Sequence, residues 1–439
     1  MARSAGGDPT TVNCQYHSRG MRASLWRDYD FLRLWGGQSA SALGDRISSL
    51  AIPTAAILLL HADALHIGLL YVCFYLPYPL LALPAGVLVD RVPRRPVLVS
   101  CDLARFVAVI SIPAAAATGH LSLLQLYGVG LIQGALTTVF SVAYRAYLPS
   151  LVGPESVVEG NSRLQSSESA AQTAGPGVGG VLIQLLGAAN TVLVDSISFL
   201  VSAATLRWIR RPEPPPERPT ARSAFRSELR EGLDVLWHHP VLRWTAACVA
   251  TSNCGQMVAR TVFLLFAYQA LRLPPVLVGL LLLLQGLAGV GGAAVAARFE
   301  RRLGVGFTLG ASIFGEGLGW ALLPLGLFMP AAIAAVPAML LVGFCGPIWE
   351  VTNVSLRQAL VPARLQGRIH ASHLAIAFGT IPIGALLGGW LAGLLQHSLG
   401  SGRGLALTLA LGGLLGMSSA AWIAGTPVRR LRRAAPVPA

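Results

Sequence analysis

The feature that most constrains this chain is the alternation of long apolar runs with short loops that carry its arginines. Residues 66–89 are almost uninterrupted apolar sequence, and 97–118 repeat the pattern after a loop of a few residues. Crossing a bilayer takes about 20 apolar residues, so each run is long enough. A loop this short makes the two helices antiparallel neighbours. The loop and its flank, Gly86 to Arg95, contain Asp90, Arg91, Arg94 and Arg95. The positive-inside bias places these arginines on the cytoplasmic side. Gly86 leaves room for another backbone at the helix end. Asp90 suits the orphan N–H groups of a nearby helix start, where the dipole favours negative charge.

The same alternation continues along the chain. Apolar runs at about 32–59, 66–89, 97–118, 121–143, 164–187 and up to 209 predict six spans. Six more are predicted at about 241–267, 275–297, 304–327, 330–352, 370–395 and 404–426. Composition agrees: 54% of residues are hydrophobic and only 12% charged, against about 25% charged in soluble domains. The 33 basic residues are all arginine. They collect in every second loop, which predicts an even number of spans with both termini cytoplasmic. The net charge of +14 therefore reflects topology, and no nucleic-acid partner is expected. A P-loop needs a lysine on the phosphates, so the lack of lysine excludes one. The six cysteines form no C-x-x-C pair. They read as small buried hydrophobes, with no metal site.

The expected fold class is an all-α membrane protein of twelve transmembrane helices in two pseudo-symmetric six-helix bundles. Residues 1–30 read as a basic cytoplasmic tail and 31–209 as the N-terminal bundle. Residues 210–240 form a cytoplasmic linker, 241–426 the C-terminal bundle, and 427–439 a second basic tail. Within the linker, Phe225, Leu229, Leu233, Leu236 and Trp237 recur at helical spacing. That spacing predicts an amphipathic helix, either on the membrane surface or as a plain connector.

Two halves echo one another. Arg145-Ala146-Tyr147-Leu148-Pro149 precedes span five, and Arg357-Gln358-Ala359-Leu360-Val361-Pro362 precedes span eleven. Gly175-Pro176-Gly177-Val178-Gly179-Gly180 in span five is answered by Pro382, Gly384, Gly388 and Gly389 in span eleven. Two similar halves about an axis along the membrane normal, with a pathway between them, form a transporter architecture. In span five, proline removes a backbone hydrogen bond and the glycines let a neighbouring helix pack closely. Such a run serves packing in any transporter, whichever way it moves its substrate.

The loop G-x-x-x-D-R-x-x-R-R, with Pro93 where glycine is usual, resembles the first signature loop of the major facilitator superfamily. The Gly175–Gly180 run resembles the signature of its drug:proton antiporters. Glu228 to Pro240, Arg145 to Pro149 and Phe31 to Asp45 are similar to the branch of siderophore exporters and macrolide efflux proteins. The resemblance covers about residues 28–425. It implies a non-enzymatic exporter in the cell inner (plasma) membrane, acting as a monomer in the lipid bilayer. Its partners would be a small amphipathic substrate and protons, and the proton gradient would be its energy source in place of a cofactor. It also implies that Gly86, Asp90, Arg91, Arg94 and Arg95 gate the cytoplasmic side.

Charges inside the spans carry the chemistry. A charge at mid-membrane costs about 2.5–3.5 kcal/mol on insertion scales, so an unpaired one generally has a role. Asp45, Glu168 and Glu316 are the proton-coupling candidates, in that order. A carboxyl group in a low-dielectric pathway can load and release protons near neutral pH. Arg46, Asp102, Arg105 and Arg260 are the other intramembrane charges. Asp102 and Arg105 share a helix face and can pair. Asp45 and Arg46 point about 100° apart and do not satisfy one another. Asp195 and Glu350 read as structural. Two alternatives remain open from the residues: an importer of the same fold, and a non-transporting membrane sensor or scaffold.

Overall fold

The computed structural model describes residues 25–213 and 234–431. Among the described residues it is helical, with no strand. The first half contains α1 (Tyr29–Leu59), α2 (Ala64–Tyr75), α3 (Pro77–Val89) and α4 (Arg94–Ala117). It continues with α5 (Leu123–Val152), α6 (Val157–Leu186) and α7 (Ala188–Trp208). The second half contains α8 (Leu242–Leu265), α9 (Pro275–Leu303) and α10 (Val305–Leu322). It ends with α11 (Ala331–Leu360), α12 (Ala363–Leu399) and α13 (Ser401–Ser418). The helices α2 and α3 form one crossing, interrupted where Pro77 has no N–H to continue the ladder. The bundles therefore hold six crossings each. Nine of the described helices are long and apolar enough to cross a membrane by length and composition alone. The helices α6, α8 and α10 complete the set; they carry more polar and glycine residues.

Each half is assembled in the same way. In the first, α1 packs on α6 and α7, and α4 packs on α5 and α7. In the second, α8 packs on α12 and α13, and α10 packs on α11 and α13. The turns repeat as well. Gly187 joins α6 to α7 at φ +82°, and Gly400 joins α12 to α13 at φ +83°. Both sit in the left-handed region that glycine enters without steric cost. His61 (φ 50°) and Arg272 (φ 52°) occupy equivalent turns, before α2 and α9.

The halves meet through two helix pairs, α6 with α9 and α2 with α12. Their closest approaches lie toward one end. Gly68 faces the Ala385 carbonyl, Gly389 faces Ala64, and Gly180 faces Gly279. A single apolar core fills this end and includes Leu50, Ile57 and Ile67 from one half and Val262, Phe266 and Leu281 from the other. At the arginine-loop end each half keeps a separate core. One holds Phe31, Leu98 and Tyr147; the other holds Val249, Leu309 and Trp349. The molecule is therefore sealed at one end and parted at the end bearing the arginine loops.

Both ends of the described residues carry local structure. The first helix starts at Tyr29. Leu25–Arg27 forms a short 3₁₀ turn with Leu25 buried, and Asp28 caps α1 by accepting from the amides of Asp30 and Phe31. Val428 is buried, and the Gly306 amide donates to the Leu431 carbonyl at 3.1 Å, so the second tail starts folded. Most of the expected linker helix lies outside the described residues. Of its apolar face, Leu236 packs against Leu242, Val361 and Ile369, while Trp237 is exposed.

Candidate functional site

A cavity of about 660 Å³ opens within the first half. Its walls come from α1 to α7, and Phe378 of α12 reaches it from the other half. Tyr71, Phe74, Tyr75 and Tyr78 form an aromatic side. Tyr78 packs against Phe378 with ring centroids 4.3 Å apart. The opposite side is charged, with Asp45, Arg46, Arg105, Glu168 and Asp195.

Small residues in α1 create that charged side. Gly37, Ser41, Gly44 and Ser48 recur at helical spacing and are buried. A Cβ on Gly44 would stand 2.7 Å from Asp195 Oδ1, and one on Gly37 would stand 3.2 Å from the Ser202 Cα. The close α1–α7 packing brings Asp195 beside the Asp45 turn. Asp195 is fully buried; its Oδ1 accepts a 3.3 Å hydrogen bond from Ser198 Oγ, and the Ser48 hydroxyl stands in range of the same carboxylate.

Arg105 is held rigidly. Its guanidinium lies between the rings of Phe140 (4.3 Å) and Phe199 (4.6 Å), a cation–π arrangement. It donates to Asp102 Oδ1 at 2.5 Å. Asp102 Oδ2 accepts from Ser202 Oγ at 2.6 Å, and Ser202 Oγ in turn accepts from Gln38 Nε2 at 2.9 Å. The network ties α4 to α7 and α1. Arg46 donates to Glu168 Oε1 at 2.5 Å, across the gap between α1 and α6. Glu168 thus has an arginine partner, whereas Asp45 forms no hydrogen bond or ion pair among the described residues. Asp45 does lie within electrostatic range of Arg105, Arg46, Glu168 and Asp102.

Glu316 is not part of this cavity. It sits in α10, with Gly346 of α11 beside it and Arg260 and Glu350 in electrostatic range. Arg260 itself is solvent-exposed.

The signature loop behaves differently from its expectation at two residues. Nothing lies within 4 Å of where a Cβ on Gly86 would be, so no backbone approaches there. Asp90 is exposed and ends α3, its amide donating to the Gly86 carbonyl at 3.0 Å, but its side chain caps no helix start; Glu213 takes that place. Its two carboxylate oxygens accept from the Arg94 and Arg95 amides at 2.8 and 3.1 Å, at the start of α4. Arg95 turns toward its own half, donating from Nε to the Leu206 carbonyl at 2.8 Å and also to the Arg207 carbonyl. Asp30 and Arg33 tie the start of α1 to the same α7 end through Arg210, Arg211 and Trp208.

The span-five run serves two neighbours. Gly175 and Gly179 lie against Arg46 and Ile47 of α1. Gly180 and the Pro176 carbonyl lie against Gly279 of α9.

The sequence reading placed Asp195 among the structural acids, because its environment depends on which helix meets α7. The small-residue stripe of α1 was the available signal that some helix packs there closely; it did not say which.

A family model described as Major Facilitator Superfamily matches residues 34–372. The chain is 26% identical over 376 residues to the multidrug efflux pump Tap of Mycolicibacterium fortuitum, covering 82% of this chain and 88% of the pump. It is 26% identical over 312 residues to the enterobactin exporter EntS of Salmonella typhimurium, covering 69% and 72%. Among solved structures, a bacterial homologue of the human lysosomal transporter Spinster, inward-facing and unoccupied, superposes with a TM-score of 0.74 at 13% identity. That match covers 95% of this chain and 100% of the other. A bacterial homologue of the iron transporter ferroportin gives 0.68 in its inward-facing state, at 16% identity over 89% of this chain and 98% of the other. These relatives and folds are transporters, and the helices of this chain make it a multi-pass membrane protein. The chain belongs to the major facilitator superfamily of membrane transporters.

Proposed function

We propose that the protein exports a small amphipathic molecule by proton antiport, through alternating access of the two bundles. One observation carries this reading. Asp45 lines a cavity that combines an aromatic wall with acids, and among the described residues it has no ion-pair partner of its own. An acid in that position can hold either a proton or a passenger's polar group. Competition between the two is the exchange that an antiporter needs. The efflux names of two relatives, Tap and EntS, support the outward direction.

The topology supports the rest of the reading. With the arginine loops in the cytoplasm, both termini are cytoplasmic and the parted end opens inward. The Gly86–Arg95 loop then stands unlatched, with Asp90 and Arg91 exposed, as an inward-open state requires. Closing that end brings the loop toward the second half. Glu168, matched by Arg46 across α1 and α6, is a further proton-coupling acid of the same cavity. Glu316 serves as a separate acid in the second half.

The test is Asp45→Asn in whole cells, with a panel of dyes, antibiotics and iron chelators. Gradient-driven efflux is lost while the purified protein elutes and unfolds like wild type. Unchanged efflux would remove Asp45 from the mechanism.

A further inference from the structure

We infer that the first bundle loads two protons, one on Asp45 and one on Asp195. The inference rests on the antiport reading and adds a second proton position to it.

The argument is a charge count at one level of the bundle. Four acids face the region: Asp45, Asp102, Glu168 and Asp195. Two arginines face it from within the membrane, and each is already matched. Arg46 meets Glu168 at 2.5 Å, and Arg105 meets Asp102 at 2.5 Å. Arg105 is within range of both remaining acids, but Asp102 already neutralises it. The only other cation in the cavity lining is Arg145, which is exposed. The other polar rings in the lining are the phenols of Tyr71, Tyr75, Tyr78 and Tyr144. Asp45 and Asp195 are thus two adjacent acids without a counter-ion of their own.

A second observation shows that the place is built to hold something. Two buried polar atoms lining the cavity, Arg105 Nε and Gln133 Oε1, have no hydrogen-bond partner, and the Asp195 carboxylate is met there only by the hydroxyls of Ser48 and Ser198. Asp195 is 0% exposed, Ser48 4% and Gln133 6%. Buried polar groups are rarely left this way. A proton on Asp195 turns its carboxyl from an acceptor into a donor, and the Ser48 hydroxyl beside it offers an acceptor. Two carboxylates in electrostatic range of one another in a low-dielectric site do not both stay ionised, and here neither has a counter-ion of its own to hold its charge. With both protonated, the cavity carries no surplus negative charge when its mouth closes.

The balance is simple. Each carboxylate takes one proton from the far side and releases it on the arginine-loop side. No other reactant is required.

The experiment is infrared difference spectroscopy on the purified full chain, following the carbonyl stretch of protonated carboxyl groups as pH is raised. No substrate is needed. Asp45→Asn removes one component, Asp195→Asn removes another, and the double variant removes both. Asp195→Glu, which keeps an acid, shifts its component instead of deleting it; this covers a failure of Asp195→Asn to fold. An Asp195→Asn or Asp195→Glu spectrum identical to wild type would overturn the inference. If export stays gradient-driven in that case, the antiport reading stands alone. If wild-type export ignores the gradient, both fall.

Discussion

Gly180 of α6 and Gly279 of α9 touch backbone to backbone. A Cβ on Gly180 would stand 2.7 Å from the Gly279 Cα and 2.7 Å from the Pro275 carbonyl oxygen. The contact closes one half of the sealed end, and the α2–α12 pair closes the other. Since both neighbours are backbone, neither can yield to a side chain.

Gly180→Leu is therefore expected to disfavour the sealed state. Spin labels at His61 and Ser398, exposed on opposite halves near that end, are expected to move apart in the variant. An unchanged distance would mean that another contact holds the halves together.

The two ion pairs differ in burial, and their energies should differ too. Asp102 and Arg105 are almost fully buried, whereas Arg46 and Glu168 are more than a third exposed. Breaking a buried pair leaves an uncompensated charge and costs about 3–5 kcal/mol. An exposed pair contributes about 0–1 kcal/mol. Thermal unfolding of Asp102→Ala should show a large loss, and that of Glu168→Gln almost none.

Much of the fold was legible in the residues. Apolar run length and arginine alternation fixed the twelve crossings, because hydrophobic thickness and backbone satisfaction leave a membrane chain few choices. The Asp102–Arg105 pair was legible because three-residue spacing on a helix is local geometry. What depended on tertiary contact was not legible. Asp195 meets α1 through the Gly44 gap, Arg46 crosses to Glu168 on α6, and Glu213 returns from beyond α7 to cap α4. Nothing in the linear spacing of those residues joins them. The Pro77 break was visible as a proline, but its register came only with the structure.

Glu213 makes a separate prediction. Its carboxylate satisfies two orphan amides at a helix start, where the dipole favours it. Glu213→Ala should cost about 1 kcal/mol and speed hydrogen exchange at the Arg94 and Arg95 amides. Asp90→Ala should leave those amides as protected as before.

Asp63, in the turn before α2, predicts a pH effect. Burial raises its carboxyl, but hydrogen bonds from the His66 amide and ring and from the Leu65 amide lower it further, for a net depression. A depressed acid stabilises the fold above its unfolded pKa, and the gain disappears as pH falls through the folded value. Protection of the His66 amide should therefore fall below the ordinary aspartate range. In Asp63→Asn it should show no such acid transition.

The most direct test of the central claim is uptake into inverted membrane vesicles carrying the protein, using a panel of dyes, antibiotics and iron chelators. Each compound is measured with an acid-inside pH gradient and again after a protonophore collapses it. The account predicts that at least one amphipathic compound accumulates inside only while the gradient is present, and that Asp45→Asn stops this. Accumulation that persists without any ion gradient, or that is equal in Asp45→Asn, would contradict it.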